Sequence, residues 1–185
     1  MCVIRLFDVL FAFLGLVLGF PVLLVIYVLG LFDTGSPLFR QERVGRNQKP
    51  FTLVKFRTMK VDTASVASHL ASSSSITRMG SFLRRTKLDE LPQLWNVLKG
   101  EMSLVGPRPN LFNQVELIAE RESHGVYRVR PGITGSAQVA GIDMSVPGLL
   151  AETDARMIRS MSLSLYFKLI LQTALGSGAG DRVVR

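Results

Sequence analysis

Cys2 is the only cysteine, and His69 and His124 are the only histidines, in this chain of 185 residues. These scarcities remove several chemistries at once. An intrachain disulfide and a cysteine-based metal centre are excluded. The two histidines lie far apart in sequence, and neither stands in a serine–histidine–acid or metal-ligand pattern. Acid–base or nucleophilic work therefore falls to carboxylates. Acids are themselves outnumbered: 14 Asp and Glu face 22 Lys and Arg, a formal charge of +8. The basic residues concentrate in two runs. Residues 40–60 hold seven Lys or Arg against the single acid Glu42, and residues 78–87 carry Arg78, Arg84, Arg85 and Lys87. Few aromatics accompany these runs to stack on bases, and no zinc-finger, helix-turn-helix or RNA-binding signature is visible. Nucleic acid is thus a weaker partner than an anionic lipid surface or a phosphate-bearing substrate. Cys2, beside an apolar stretch, reads as a small buried thiol rather than an acylation site.

Charge is missing altogether from residues 9–32. At 1.5 Å per residue a helix of that length is about 36 Å long, enough to cross a hydrocarbon core of roughly 30 Å. A secretory signal would have a shorter apolar part and a small-residue cleavage site. This stretch runs instead into Asp33-Thr34-Gly35-Ser36-Pro37 and then basic chain, and reads as a retained membrane element. Pro21 stands at its middle, where it removes a hydrogen bond and crowds the preceding turn. Membrane helices tolerate proline, so two arrangements stay open: a kinked span, and a re-entrant hairpin that enters and leaves on one face. Arg5 and Asp8 share a helical face and can pair at the interface. Arg40, Arg43, Arg46 and Lys49 follow the apolar stretch, which places the downstream chain on the cytoplasmic side.

The acids that matter gather in residues 88–100, LDELPQLWNVLKG. Pro92 suits the first turn of a helix, because it lacks an N–H and fixes its own φ. Asp89 and Glu90 then sit near the positive end of the helix dipole, which favours ionised carboxylates. Leu91, Leu94, Trp95 and Leu98 recur at helical spacing and are expected to bury the opposite face. A capped surface helix would look the same, but the stiff basic turn Val105-Gly106-Pro107-Arg108-Pro109 follows closely. Acids at a helix start beside arginines suit phosphate chemistry.

The remaining chain, past the membrane element, suffices for one compact domain. Residues 51–57 alternate in character and predict a strand with Phe51, Leu53 and Val54 inward. Residues 61–77, rich in Ser, Thr and Ala, predict a flexible loop beside the site. Ser81 is the expected cap of a helix over 82–86, and residues 110–123 predict an amphipathic helix. Within 127–138, Pro131-Gly132-Ile133-Thr134-Gly135 predicts a turn whose glycines allow close backbone approach. Residues 151–161 and 163–175 predict two helices, the second apolar but too short to span, hence packed in the core or laid on a membrane. Residues 176–185 predict a frayed tail. No internal repeat is visible.

Several of these pieces, in this order, carry a family resemblance. They are Arg5 and Asp8 with central Pro21, PLFRQERVG over 37–45, KFRTM over 55–59, ITRMGSFLRRT over 76–86, the run 88–109, and RPGITG from Arg130 with Ala137-Gln138-Val139. Together the chain resembles the bacterial sugar transferases, monotopic phosphoglycosyl transferases that act on polyprenol phosphate. The resemblance implies an α+β, mostly helical fold. A re-entrant membrane helix hairpin covers 1–32, and a compact cytoplasmic catalytic domain with a small sheet and membrane-surface helices covers 33–185. The implied reaction moves sugar-1-phosphate from a UDP-sugar to undecaprenyl phosphate and releases UMP, with Mg²⁺ required. Its implied place is the cytoplasmic face of the bacterial inner membrane, at the first membrane step of surface-glycan assembly. Asp89 matches the family's covalent nucleophile and Glu90 its partner, both near the metal. Lys55, Arg57, Arg84, Arg108, Pro109 and Gln138 are the implied substrate contacts; Arg5, Asp8 and Pro21 belong to the anchor. Membrane lipids are implied partners and nucleic acid is not, while neither oligomeric state nor a particular sugar follows.

One segment departs from the family pattern. Where an arginine often follows the glycine after the Gln-Val pair, this chain reads Gly141-Ile142-Asp143-Met144-Ser145, and then Val146-Pro147-Gly148-Leu149-Leu150. An arginine contact at position 142 is therefore absent, and the segment is a candidate for sugar choice. A membrane-anchored scaffold would explain the anchor and basic surface, and a tethered nucleic-acid binder the charge. Neither has a use for Asp89-Glu90 beside Gly-Pro-Arg-Pro.

Overall fold

The computed structural model describes residues 2–63 and 73–176. Most of the loop expected over 61–77, His69, the side chain of Cys2 and nearly all of the expected tail lie outside the described residues. The described chain is mostly helical, with two small sheets and one long apolar helix at its start.

That first helix, α1 (Cys2–Thr34), is long and apolar enough to cross a membrane. It runs unbroken through Pro21 rather than as two helices joined by a break. A proline forfeits one bond of the ladder, and the turns on either side can stay closed around it. Both ends of α1 are packed against the rest of the molecule while its middle is not. Ala12 and Ile26 are buried, whereas Val17, Leu18, Phe20 and Val25 face outward. Near its start, Asp8 accepts hydrogen bonds from Ser103 Oγ (3.0 Å), Leu104 N (2.9 Å) and Tyr166 Oη (3.0 Å). Arg5 lies 4.0 Å from Asp8 and donates to the carbonyls of Leu98 and Met102. The pair expected at a membrane interface is thus a polar joint between α1 and the domain. Gly15 brings α1 close to the next layer, since a Cβ there would meet Leu94 Cδ1 at 2.8 Å.

Strands β1 (Leu38–Val44) and β2 (Pro50–Phe56) form an antiparallel hairpin with Leu38 opposite Phe56 and Val44 opposite Pro50. Its turn places Asn47 and Gln48 at positive φ, 55° and 58°, a region that asparagine enters more readily than most residues. Phe51 and Leu53 point inward as expected, and the third residue on that face is Lys55, not the half-buried Val54. Helix α2 (Arg78–Thr86) starts earlier than its pattern suggests, and its cap is Thr77 rather than Ser81: Gly80 N donates to Thr77 Oγ1 at 2.8 Å. Gly80 belongs inside this helix because a Cβ there would lie 2.0 Å from the Thr58 carbonyl.

Helix α3 (Gln93–Lys99) packs on β2 and α1, with Leu94, Val97 and Leu98 joining Ala12, Phe51 and Leu53. Trp95 is 56% exposed and not part of the buried face; Gln93, Asn96 and Val97 are. The reason is Asn96, which donates to Thr52 O at 2.7 Å and accepts from Val54 N at 3.2 Å, satisfying β2 as a third strand would.

Strands β3 (Ser103–Val105) and β4 (Gly132–Thr134) pair in parallel. Helix α4 (Val115–Ser123) begins later than expected, because Gln114 Oε1 accepts from Leu111 N and holds residues 111–114 in a turn. Helix α5 (Ser136–Val139) is short, and α6 (Pro147–Arg159) begins with proline in its first turn, four residues before its expected start. In α7 (Leu163–Ala174), Tyr166 and Leu169 pack with Val105, Met157, Ile4 and Phe7, while Phe167 and Leu171 face outward. One face of α7 is therefore core and the other an exposed apolar strip.

Candidate active site

Lys87 ends α2 at φ 59°, and this left-handed residue swings the chain into a 3₁₀ turn, Leu88–Glu90, ahead of α3. Leu88 plugs the turn into the cluster of Ile26, Phe56 and Leu83. The acids accordingly sit just before α3, with Leu91 and Pro92 carrying right-handed backbone on into it. Asp89 is only 3% exposed. Glu90 Oε1 accepts from Arg108 Nη2 at 2.7 Å, a charge-assisted bond between partly buried side chains.

Arg108 lies on a loop that main-chain packing fixes. Gly106 N donates to Thr134 O (2.8 Å) and Gly132 N to Pro107 O (2.8 Å). A Cβ on Gly132 would lie 2.0 Å from Gly106 N, and one on Gly135 2.5 Å from Gly106 O. The expected close approach of glycines is thus a crossing of two backbones, with Gly132 on a short strand rather than in a turn. Pro107 and Pro109 stiffen the loop further by fixing φ.

The other residues read from the sequence fall in different places. Lys55 and Arg84 come from the two elements that flank the acid turn, β2 and α2. Lys55 is buried, with its ammonium 5.8 Å from the Phe39 ring, and Arg84 Nε donates to Thr58 Oγ1 at 2.8 Å. Arg57 donates to Ser36 O (2.8 Å) and Leu38 O (3.4 Å) and lies over Phe39. It lines a cavity of about 500 Å³ at the end of α1, with Tyr27, Leu31, Ser36 and Arg40. Pro109 offers its carbonyl to Arg43 Nη1 at 3.2 Å. Gln138 spends its amide on Ile133 O at 2.7 Å, a bond that supports β4. Ile142 and Met144 pack beside Leu117, Ala137 and Leu150, so the departing segment is built into the core around α4 and α6.

Sequence reasoning missed a buried polar cluster behind the Arg108 loop. Arg121 on α4 is bonded to Asp154 on α6, with Asn110 and Tyr127 beside them, and all four are buried. Burial pushes the Asp154 carboxyl above its usual range, with Arg121 pulling the other way, and raises the Tyr127 phenol similarly. A signal was present. Arg121 falls four residues after buried Leu117, and Asp154 stands among Leu150, Ala151 and Ala155, so opposite charges occupy two apolar faces.

Asp89 and Glu90 offer the hard oxygen donors that suit Mg²⁺, which usually binds through one or two carboxylates plus substrate phosphates. Among the described residues no group of three or more acids, histidines or cysteines gathers. The donor set fits an ion shared with a diphosphate rather than an all-protein cage.

The chain is similar to known proteins. The model of the family described as bacterial sugar transferase matches residues 1–177. The UDP-galactose-lipid carrier transferase of Erwinia amylovora is 38% identical over 154 residues, 74% of this chain and 32% of that protein. The UDP-glucose:undecaprenyl-phosphate glucose-1-phosphate transferase of Caulobacter vibrioides is 38% identical over 181 residues, 91% of this chain and 67% of the relative. A UDP-N-acetylgalactosamine-undecaprenyl-phosphate N-acetylgalactosaminephosphotransferase of Aeromonas hydrophila is 36% identical over 184 residues, 93% and 44% respectively. The chain thus spans between a third and two thirds of these relatives' lengths. With the family model covering nearly all of it, the chain belongs to the bacterial sugar transferase family, as a phosphoglycosyl transferase.

Proposed function

We propose that this protein moves a sugar-1-phosphate from a UDP-sugar to undecaprenyl phosphate, at the cytoplasmic face of the bacterial inner membrane, as the first membrane step in building a surface glycan. The observation that carries the reading is Asp89 beside the Glu90–Arg108 pair, in a family whose named relatives use these two substrate classes.

In the first half-reaction an Asp89 carboxylate oxygen attacks the phosphorus that bears the sugar. A phosphorus–oxygen bond forms to Asp89, the bond to the bridging oxygen breaks, and UMP leaves with that oxygen. In the second, a phosphate oxygen of undecaprenyl phosphate attacks the same phosphorus and the Asp89 carboxylate departs. No proton needs to move in either step, which agrees with the lack of a histidine pattern in the sequence. Arg108 is the planar fork for the diphosphate oxygens, and Glu90 holds it ready. Mg²⁺, held by Asp89 and Glu90, would neutralise charge on the diphosphate. Lys55 and Arg84 add positive charge from the flanking elements.

The anchor reading is that α1 enters and leaves the membrane on one face. Its two ends pack on the same domain while the apolar stretch around Phe20 and Pro21 is exposed, and the outer face of α7 lies on the lipid surface. The test of the chemistry is a mixing experiment in detergent with UDP-galactose, UDP-glucose and UDP-N-acetylgalactosamine. One of them is expected to release about one UMP per protein before any lipid is added, leaving a phosphosugar adduct on Asp89 by mass spectrometry. UMP formation that needs undecaprenyl phosphate from the first turnover overturns the covalent route.

A further inference from the structure

We propose that Arg121 and Asp154 are positioning residues that set the Arg108 loop from behind, through its carbonyl oxygens. This inference rests on the assignment of Arg108 to the phosphate site. Arg121 Nη1 donates to Arg108 O at 2.7 Å and to Asn110 Oδ1 at 2.9 Å, while Nη2 donates to Asp154 Oδ2 at 2.7 Å. The next carbonyls are held as well. Pro109 O accepts from Arg43, Asn110 O from Val44 N (2.9 Å), and Leu111 O from Asn110 Nδ2 (3.0 Å). Tyr127 Oη completes the Asn110 amide at 3.0 Å. Four successive carbonyls, from Arg108 to Leu111, are therefore gripped, and the first is gripped by a charge.

Stability alone is a poor reason for this arrangement. A fully buried ion pair loses so much hydration that well-packed apolar residues often serve a fold as well or better. Arg121 does what no apolar residue can. Its planar fork joins a carboxylate on α6, an amide and a main-chain oxygen on the loop, in one fixed geometry. Asp154 orients the fork, the fork fixes the carbonyl of Arg108, and the Arg108 side chain leaves that fixed residue towards Glu90. Two prolines remove the remaining freedom on either side.

The test is a double-mutant cycle in the full-length protein in detergent, using whichever of UDP-galactose, UDP-glucose or UDP-N-acetylgalactosamine gives turnover with undecaprenyl phosphate. Asp154→Asn is expected to lower kcat/KM about tenfold, divided between kcat and KM in the same proportion as for Arg108→Lys. In the double variant the loss is expected to equal that of Arg108→Lys alone, because both act through one side chain. Losses that multiply overturn the positioning role while leaving Arg108 in the site. An Arg108→Lys enzyme of undiminished rate overturns both readings. Hydrogen exchange supplies the substrate-free arm. Asp154→Asn is expected to speed exchange at the Gly132 and Val44 amides, which bond to this loop, while that of Leu53 is unmoved. Unchanged exchange at the first two overturns the proposal.

Discussion

Asp89 separates the chemical reading from a purely structural one, because asparagine caps a helix about as well as aspartate. If Asp89 only shaped the turn ahead of α3, Asp89→Asn would keep its activity. We expect instead a folded protein that loses at least about 100-fold in turnover and forms no phosphosugar adduct, since an amide is no nucleophile for phosphorus. Rates and intact mass on the same preparation decide it. Arg108→Lys keeps the charge but loses the fork that meets Glu90, and a fall in kcat/KM of roughly tenfold or more is expected. At this scale the sequence was most readable where neighbours in the chain are neighbours in the site. Asp89, Glu90 and Arg108 lie within one short run, and the structure joins the last two directly. Arg121 and Asp154 escaped because their bond joins distant helices. The bond from the Gln138 amide to the Ile133 carbonyl likewise only the fold could reveal.

Among the elements, the parallel pair β3–β4 is tightly constrained. Gly132→Ala places a Cβ within 2.0 Å of Gly106 N, where only backbone can give way. Overpacking of that kind is expected to cost about 3 kcal/mol, seen as a lowered thermal midpoint in detergent. Asp8 supplies the complementary case. Asp8→Ala strips the acceptor from Ser103, Leu104 and Tyr166 together, and a loss of about 2–4 kcal/mol is expected, with Asp8→Asn losing less because its carbonyl oxygen still accepts. A melt equal to that of the unaltered protein would remove Asp8 from the joint. Element positions were legible wherever periodicity was strong, as in α1, β2 and α7. Boundaries slipped where tertiary contacts outweighed local preference. Ser81 looked like the cap of α2 and lies inside it, one residue after Gly80, which packs against Thr58. Trp95 looked like core and faces out, because α3 turns Asn96 to the β2 edge.

For the molecule as a whole, the arrangement of α1 makes a topological prediction. With Cys2 replaced by serine and a cysteine added ahead of α1, a membrane-impermeant maleimide is expected to leave intact cells unlabelled and to react after lysis. Labelling from outside would turn α1 into a true span. The apolar run was plain in the sequence, but not what its ends do. The bonds of Asp8 to β3 and the packing of Ile26 on Phe56 and Leu83 are contacts between distant parts of the chain, which a hydropathy pattern does not encode.

The Asp8 joint has a consequence for where the reaction takes place. Asp8 holds the amide of Leu104; from there the chain passes through Gly106, itself bonded to Thr134, and reaches Arg108. Anchor and arginine fork are linked by a short stiff strut instead of a tether. In a protein anchored as proposed, that strut works as a height gauge: the depth at which α1 rests fixes the elevation of the fork above the lipid plane. A long polyprenyl phosphate, free to diffuse sideways but not to rise, then meets the site at one constant altitude, and only the water-borne sugar nucleotide has to search in three dimensions.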